Sequence, residues 1–466
     1  MSERFDAIVL GAGPGGEAAV NALLRGGATV AMVERELIGG ECSHWACVPT
    51  KTLLRPPEVL GEARRAPGVG EPRLDFAPLA AYRDYMVSYY DDAKQIAGYE
   101  QRGVTVVKGE GRLDGPGRVR VGDRVLESEN VVVATGTDAF IPPLEGLEEA
   151  GYWTNREATS LNEIPASAIV VGGGPVGIEL AQFLSRFGCA VTIVHKPDRL
   201  VEREDPHLCG LLHRQLEEDG IGVRTGTTAV AVRRDGAGRV VTLDTGDELS
   251  GEALIVAVGR RPRTKAIGLE SVGIEVGPRG IAVDERLRAG DGVYAIGDVN
   301  GVMPFTHVAK YQARIAAANI LGGHAKADYR AIPRVVFTNP EIAAVGLTEA
   351  NAREHGLDVT TAVVDLPRSI ARPYTYEENP RGTLGIVADP ARGVLVGAWA
   401  MAPLASEWIH QAGLAIRAEV PLEVLRDTVA QFPSYSEGYL SALRALPNSD
   451  LGEDPCMVKA TAEVAA

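Results

Sequence analysis

The chain has 466 residues, 45% of them apolar, and a formal net charge of −15. That length holds about two to four domains, and the acidic excess argues against nucleic acid, whose phosphates it would repel. No apolar run approaches the roughly eighteen residues of a spanning helix, and glycines interrupt residues 1–35 where a signal peptide would be continuous, so a cytoplasmic location is expected.

In chain order, Phe5–Leu10 (FDAIVL) reads as a buried strand, Glu17–Leu24 as a helix and Thr29–Val33 as a second strand, which together make a βαβ unit. Residues 168–194 repeat the plan with a strand, a glycine turn, a helix over Ile178–Phe187 and a strand. Two such units about 160 residues apart predict two nucleotide-binding domains of one design. Residues 55–100 read as mostly helical, 104–134 and 222–258 as short strands, and Val308–Ile320 as a helix. From Pro333 the pattern becomes α+β, with strands near 334–337, 382–389 and 394–401 and helices near 405–418 and 421–429. The polar tail after Leu446 is expected to be loose.

The first glycine turn is Gly11-Ala-Gly13-Pro-Gly-Gly16. Gly11 permits a tight turn, Gly13 lets backbone approach a pyrophosphate, Gly16 permits close helix–strand packing, and the helix N-terminus stabilises the phosphate charge. Glu34 ends the second strand, where a carboxylate accepts from ribose hydroxyls. The second turn is Gly172-Gly-Gly174-Pro-Val-Gly177, and its second strand ends at His195-Lys196, with Arg199 close by. Basic groups there pair with the 2′-phosphate of NADP, so NADPH is expected; NADH is the alternative, towards which Gly177 points.

The five cysteines are Cys42, Cys47, Cys189, Cys209 and Cys456. They are too few and scattered for a disulfide framework, and only the first two are close. The run Gly39-Gly-Glu-Cys42-Ser-His-Trp-Ala-Cys47-Val-Pro-Thr-Lys51 has four residues between the sulfurs, unlike most zinc ribbons, and no second ligand pair follows, so no metal is expected. A helix N-terminus would lower a thiol pKa.

These motifs in this order resemble the pyridine nucleotide–disulfide oxidoreductase family, which includes dihydrolipoamide dehydrogenase, glutathione reductase and mercuric reductase. The resemblance runs from about residue 5 to about residue 445. It also takes in Ala134-Thr135-Gly136, Val258-Gly259-Arg260-Arg261-Pro262, Gly297-Asp298, Phe337-Thr338-Asn339-Pro340-Glu341 and Val345-Gly346-Leu347-Thr348. It implies an α/β fold with two Rossmann-like dinucleotide-binding domains and a C-terminal α+β dimerisation domain. The implied segments are 1–150 (FAD, first segment), 151–270 (NAD(P)), 271–332 (FAD, second segment), 333–446 (dimerisation) and a flexible tail, 447–466.

The resemblance further implies that NAD(P)H reduces FAD and FAD reduces a Cys42–Cys47 disulfide. Cys47 would face the flavin and Cys42 would meet substrate. Lys51 would pair with Glu179 beside the flavin, and Asp298 would bind the ribityl chain. A homodimer sharing its active sites between chains is implied, with a small-molecule substrate and neither nucleic acid nor membrane as partner. Relatives that reduce dithiols carry a histidine before a proline, with a glutamate five positions later. Here Glu437 remains, but Phe432 stands at the histidine position.

A phenyl ring moves no proton, and general acid–base catalysis contributes about 10²–10⁴-fold. Either another residue serves, with His44 and Tyr435 as candidates, or the acceptor needs no such proton. A small activated disulfide, a quinone or a soft metal ion fits the second case, and so does carbon transfer of the 2-ketopropyl-coenzyme M oxidoreductase/carboxylase type. A redox-sensing flavoprotein is the non-enzymatic alternative. Trp45 is a candidate pocket wall, and His307 reads as structural.

Overall fold

The computed structural model describes residues 3–70 and 72–447. The first βαβ unit forms from Ala7–Leu10, Pro14–Arg25 and Val30–Glu34, and every residue of both strands is buried. Both faces of this parallel sheet are covered, so its strands are uninterrupted apolar runs rather than alternating ones. The helix starts three residues before the expected Glu17. Proline at its first turn loses no helical hydrogen bond and already has helical φ, so Pro14 begins it. Pro175 does the same for the second unit, Ser167–Val171, Pro175–Arg186 and Ala190–His195.

The first unit sits in a six-stranded sheet whose spatial order is Arg288–Gly290, Val293–Ala295, Val131–Val133, Ala7–Leu10, Val30–Glu34 and Thr105–Lys108. All neighbours are parallel except the Arg288–Gly290 edge. Strands from residues 131 and 293 therefore join a sheet begun at residue 7, and the second unit lies between them in sequence. That unit's own parallel sheet runs Gly222–Thr225, Ala190–His195, Ser167–Val171, Ala253–Val256. In both sheets the chain order reverses at the glycine-turn strand, so a crevice opens at the strands' carboxyl ends.

A third, five-stranded antiparallel sheet is built from Pro333–Val336, Glu341–Gly346, Val394–Ala402, Thr383–Asp389 and Thr360–Asp365. The helix Ala405–Arg417 packs on it through Ile409, Ala412 and Ile416. No described helix is long and apolar enough to cross a membrane. Cys456 and residues 448–466 lie outside the described residues, so the loose-tail expectation does too.

Candidate active site

A cavity of about 930 Å³ opens at the carboxyl ends of the six-stranded sheet. Gly11, Gly13, Glu34, Cys42, Cys47, Lys51, Thr135, Gly136, Glu179 and Asp298 all line it. Three of the four glycines of the first turn each meet a different demand. Gly11 has φ +102°, and a Cβ on it would lie 2.5 Å from the Ala134 carbonyl oxygen. A Cβ on Gly16 would lie 1.9 Å from the Gly11 oxygen, whereas one on Gly13 would meet nothing within 4 Å. Packing therefore does not require glycine at position 13.

The second turn repeats this. A Cβ on Gly172 would lie 2.3 Å from the Ala257 oxygen and one on Gly177 2.0 Å from the Gly172 oxygen, while Gly174 faces open space. Such turns, each opening a helix, fit two dinucleotide pyrophosphates.

Around the first turn, Glu34 accepts from the Ala12 N–H at 2.7 Å and from the Glu36 N–H at 2.7 Å. Asp298 accepts from the Thr137 hydroxyl at 3.0 Å, and burial raises its pKa against the pull of Arg260. Thr135 donates to the Arg263 carbonyl at 2.8 Å. Gly136 and Gly259 hold positive φ, which lets the two facing strand ends turn.

Both cavity cysteines are free thiols. Cys42 sits in the short helix Gly40–His44, and Cys47 begins the helix Cys47–Arg65. The Thr306 hydroxyl, which opens the helix Thr306–Ile320, lies 3.1 Å from Cys42 Sγ and 3.4 Å from Cys47 Sγ. The two sulfurs are hydrogen-bonded to each other, and that bond raises the Cys42 pKa, with burial adding to the rise. The same bond lowers Cys47 to about 6, with Thr306 and Lys51 adding to it against burial. Lys51 Nζ donates to Glu179 Oε2 at 2.6 Å, and Glu179 Oε1 accepts from the Phe337 N–H at 3.0 Å. The pair expected from the sequence is therefore formed, at the cysteine end of the cavity.

Two histidines have surroundings that the sequence did not show. His44 is only 2% exposed, and its ring nitrogens meet the Ile38 carbonyl at 2.9 Å and the Val87 carbonyl at 3.1 Å. Both ring nitrogens thus face backbone carbonyls rather than a sulfur. His195 is buried, and its Nδ1 accepts from the Gly173 N–H at 3.0 Å. It braces the glycine turn as Glu34 does and is not the free cation expected for a 2′-phosphate. Lys196 remains exposed at the strand end.

Trp45 does not line the cavity. It stacks on Tyr90, with ring centroids 6.1 Å apart, and the Arg156 guanidinium covers it at 4.0 Å. His307 is turned towards the Pro333 carbonyl, 2.9 Å away. Glu437 accepts from the Ser434 N–H at 2.9 Å, and Phe432 is 66% exposed, neither of them on the cavity. Cys189 and Cys209 are buried in the second unit's core.

Sequence reasoning missed a charged cluster as well as Thr306. Glu41, next to Cys42, is held by Arg156 through two guanidinium nitrogens and by Arg263 at 3.3 Å, with Arg260 3.6 Å away. Asn155 donates at 2.7 Å to the Trp45 carbonyl. These partners come from the two stretches that enter and leave the second βαβ sheet, so both crossings are tied to the cysteine loop. Only the carboxylate of the G-G-E-C run hinted at it.

Residues 5–313 match the pyridine nucleotide-disulphide oxidoreductase family, and residues 332–443 match its dimerisation domain. The chain belongs to this family. Among curated relatives, dihydrolipoyl dehydrogenase of Thermus scotoductus is 35% identical over 457 residues, covering 95% of this chain and 98% of that one. Mercuric reductase of Bacillus cereus is 32% identical over 447 residues, covering 93% of this chain and 70% of that one.

The solved structure of the HOCl-induced flavoprotein disulfide reductase RclA from Escherichia coli has a TM-score of 0.84 at 26% identity, covering 94% of this chain and 99% of that one. LpdA from Mycobacterium tuberculosis gives 0.85 at 30%, covering 95% and 99%. This pyridine nucleotide-disulphide oxidoreductase accordingly has two Rossmann-type dinucleotide-binding domains, of the FAD and NAD(P) type, and a dimerisation domain. It carries the family's FAD- and NAD(P)-linked redox activity.

Proposed function

We propose that the enzyme draws electrons from NADPH through FAD and passes them, through Cys42 and Cys47, to a small disulfide or a related electrophile. One observation carries this reading: two thiols of opposite pKa shift, the Lys51–Glu179 pair and a bare glycine turn share one cavity. FAD, when bound, supplies the two-electron carrier between coenzyme and sulfur. The rest falls to the chain. Gly11, Gly13 and Gly16 with the helix N-terminus hold the pyrophosphate, Glu34 the ribose and Asp298 the ribityl chain. Gly172, Gly174 and Gly177 hold the coenzyme, with His195 bracing that turn and Lys196 supplying the charge that favours a 2′-phosphate.

Cys47, lowered to about 6, is the thiolate facing the flavin, and Cys42 is the thiol that meets substrate. Lys51 fixes a positive charge beside Cys47, and Glu179 holds Lys51 in place. Each chain of a homodimer presents its Phe432–Glu437 segment to the other's cysteines. With phenylalanine at that position, the acceptor is one that leaves without strong acid help. A thiol-seeking metal ion is a second acceptor class, favoured by the mercuric reductase relatives.

The deciding experiment is anaerobic turnover with NADPH and with NADH against disulfide, quinone and metal acceptors, in the wild type and in Cys42→Ser and Cys47→Ser. Disulfide turnover that needs both cysteines is expected. Full turnover by either variant would refute the reading.

A further inference from the structure

The second unit's sheet hangs from the six-stranded sheet by a two-stranded ribbon, Thr137–Ala139 paired antiparallel with Arg260–Pro262. A ribbon of two short strands has little stability of its own. The cysteine loop lies against this joint from the other side. It packs directly on the first glycine turn, for the Gly39 N–H donates to the Ala12 carbonyl at 2.8 Å and a Cβ on Gly40 would lie 2.9 Å from Gly13 Cα.

Glu41 is the next residue, and its carboxylate reaches across to the joint. Oε1 accepts from Arg156 Nε at 2.8 Å and from Arg263 at 3.3 Å. Oε2 accepts from Asn155 at 3.3 Å and faces Arg260 at 3.6 Å. Asn155 and Arg156 open the helix that enters the second unit, and Arg260 and Arg263 belong to the ribbon that leaves it. The carboxylate is only 18% exposed, so salt and water screen these contacts weakly. The Lys51–Glu179 bridge, at 2.6 Å, attaches the first helix of the second unit at a separate point. Two attachments at separate points oppose rotation about either one.

We propose that Glu41 is a positioning residue for hydride transfer, locking the second unit at the angle that sets a nicotinamide against the flavin. This rests on the reading of a nicotinamide coenzyme on the second glycine turn and is independent of the cysteine roles. The hydride carries two electrons and a proton from the dihydronicotinamide, which is oxidised, to the flavin, which is reduced. Glu41 takes no part in the bond changes.

Glu41→Gln keeps the shape and removes the charge. Arg156 keeps Glu36 at 3.0 Å, Arg263 keeps Asp138 at 2.5 Å and Arg260 keeps the Thr137 hydroxyl at 2.7 Å, so the variant should fold and retain flavin. Anaerobic rapid mixing of the flavin-loaded enzyme with rising NADPH gives the limiting rate of flavin reduction and the dissociation constant of the coenzyme. The limiting rate should fall by about tenfold, inside the roughly 100-fold that a 1 Å misplacement costs. The dissociation constant should not change, because the second glycine turn is untouched. Loss of a negative charge from the cavity favours the electron-rich reduced flavin and by itself would speed reduction, so a slower rate reads geometry. Arg156→Gln should give a similar loss, and the double variant should lose less than the product of the two, as partners in one network do. Without turnover, hydrogen exchange of the flavin-loaded Glu41→Gln enzyme should quicken in the ribbon, residues 137–139 and 260–263, and not in the strands of either parallel sheet.

An unchanged limiting rate, a change confined to the dissociation constant, loss of flavin, or unchanged exchange in the ribbon would overturn the proposal. So would losses from Glu41→Gln and Arg156→Gln that simply multiply. Normal flavin reduction with slow reoxidation would place Glu41 in the service of the cysteines and overturn it too. Full turnover by Cys42→Ser would sink the redox-pair reading and leave the positioning role standing. A wild-type flavin that neither NADPH nor NADH reduces would sink the coenzyme reading and the positioning role with it.

Discussion

Removing either partner of the Lys51–Glu179 pair should have unequal consequences, because the two side chains are buried to different depths. Glu179 is 5% exposed and Lys51 36%. In Lys51→Met, a carboxylate stays in the interior with only the Phe337 N–H as a donor. Stranding a buried charge costs about 3–5 kcal/mol, and the surviving donor places the cost near the lower end, at about 3 kcal/mol.

In Glu179→Gln, the amide oxygen still accepts from Phe337, and the ammonium of Lys51 turns to water. With the lysine end already partly in water, losing the ion pair in this direction costs about 1 kcal/mol. The gap of about 2 kcal/mol is roughly thirty-fold in the folding equilibrium. The double variant should be more stable than Lys51→Met alone, since glutamine leaves no buried charge to strand. Urea midpoints at unchanged slope measure all three. If Lys51→Met is no less stable than Glu179→Gln, burial does not govern this pair and the reasoning fails.

The glycine turns give a second contrast. Gly13→Val should fold normally but release FAD, because its Cβ meets no protein atom, whereas Gly16→Val should lose fold and flavin together, its Cβ falling 1.9 Å from the Gly11 oxygen; circular dichroism and flavin retention separate the two outcomes. Reduced holoenzyme should show long-wavelength thiolate–flavin absorption that fades as pH falls through about 6, the lowered Cys47 value. The sign follows from a folded pKa below the ordinary thiol value of about 8.5: the thiolate's contribution to stability is complete above that value and lost through the folded one. A midpoint near 8.5 would show that Cys47 is not stabilised by its neighbours. His44→Ala should lower stability by about 1–3 kcal/mol because a buried carbonyl loses the ring N–H as its donor, while reoxidation rates in whatever folds stay near wild type; a selective loss of reoxidation would support the proton-transfer role for His44.

What could be read in the sequence was what backbone geometry demands. Gly11 and Gly16 are glycine because an oxygen stands where a Cβ would go, and the strand and helix beside them announce this locally. The cysteine spacing is equally local. Lys51 and Glu179 lie 128 residues apart, and only the family resemblance joined them. Thr306 escaped notice because a hydroxyl 259 residues from Cys47 leaves no periodic or spacing signal. The surroundings of His44 were illegible for the same physical reason. Its ring nitrogens meet the Ile38 carbonyl, six residues back, and the Val87 carbonyl, 43 residues along the chain. The Glu41 cluster is assembled from three separated stretches, and its arginines look like ordinary surface charge until the two sheets are docked.

The two dinucleotide turns also bear on the coenzyme. In each, the residue between the first two glycines donates its N–H to the last side chain of the second strand, Ala12 to Glu34 and Gly173 to His195. The turn requires an acceptor at that reach, and a carboxylate and an imidazole both provide one. They differ in what remains. Glu34 keeps lone pairs for ribose hydroxyls. An imidazole nitrogen that accepts carries no proton, so the ring proton of His195 is on Nε2, which can only donate. Nε2 lies 3.4 Å from Glu202, whose side chain is 44% exposed. His195 Nε2 is itself buried without a hydrogen-bond partner, so histidine at this position serves the turn, and Lys196 is the cation left exposed at the strand end.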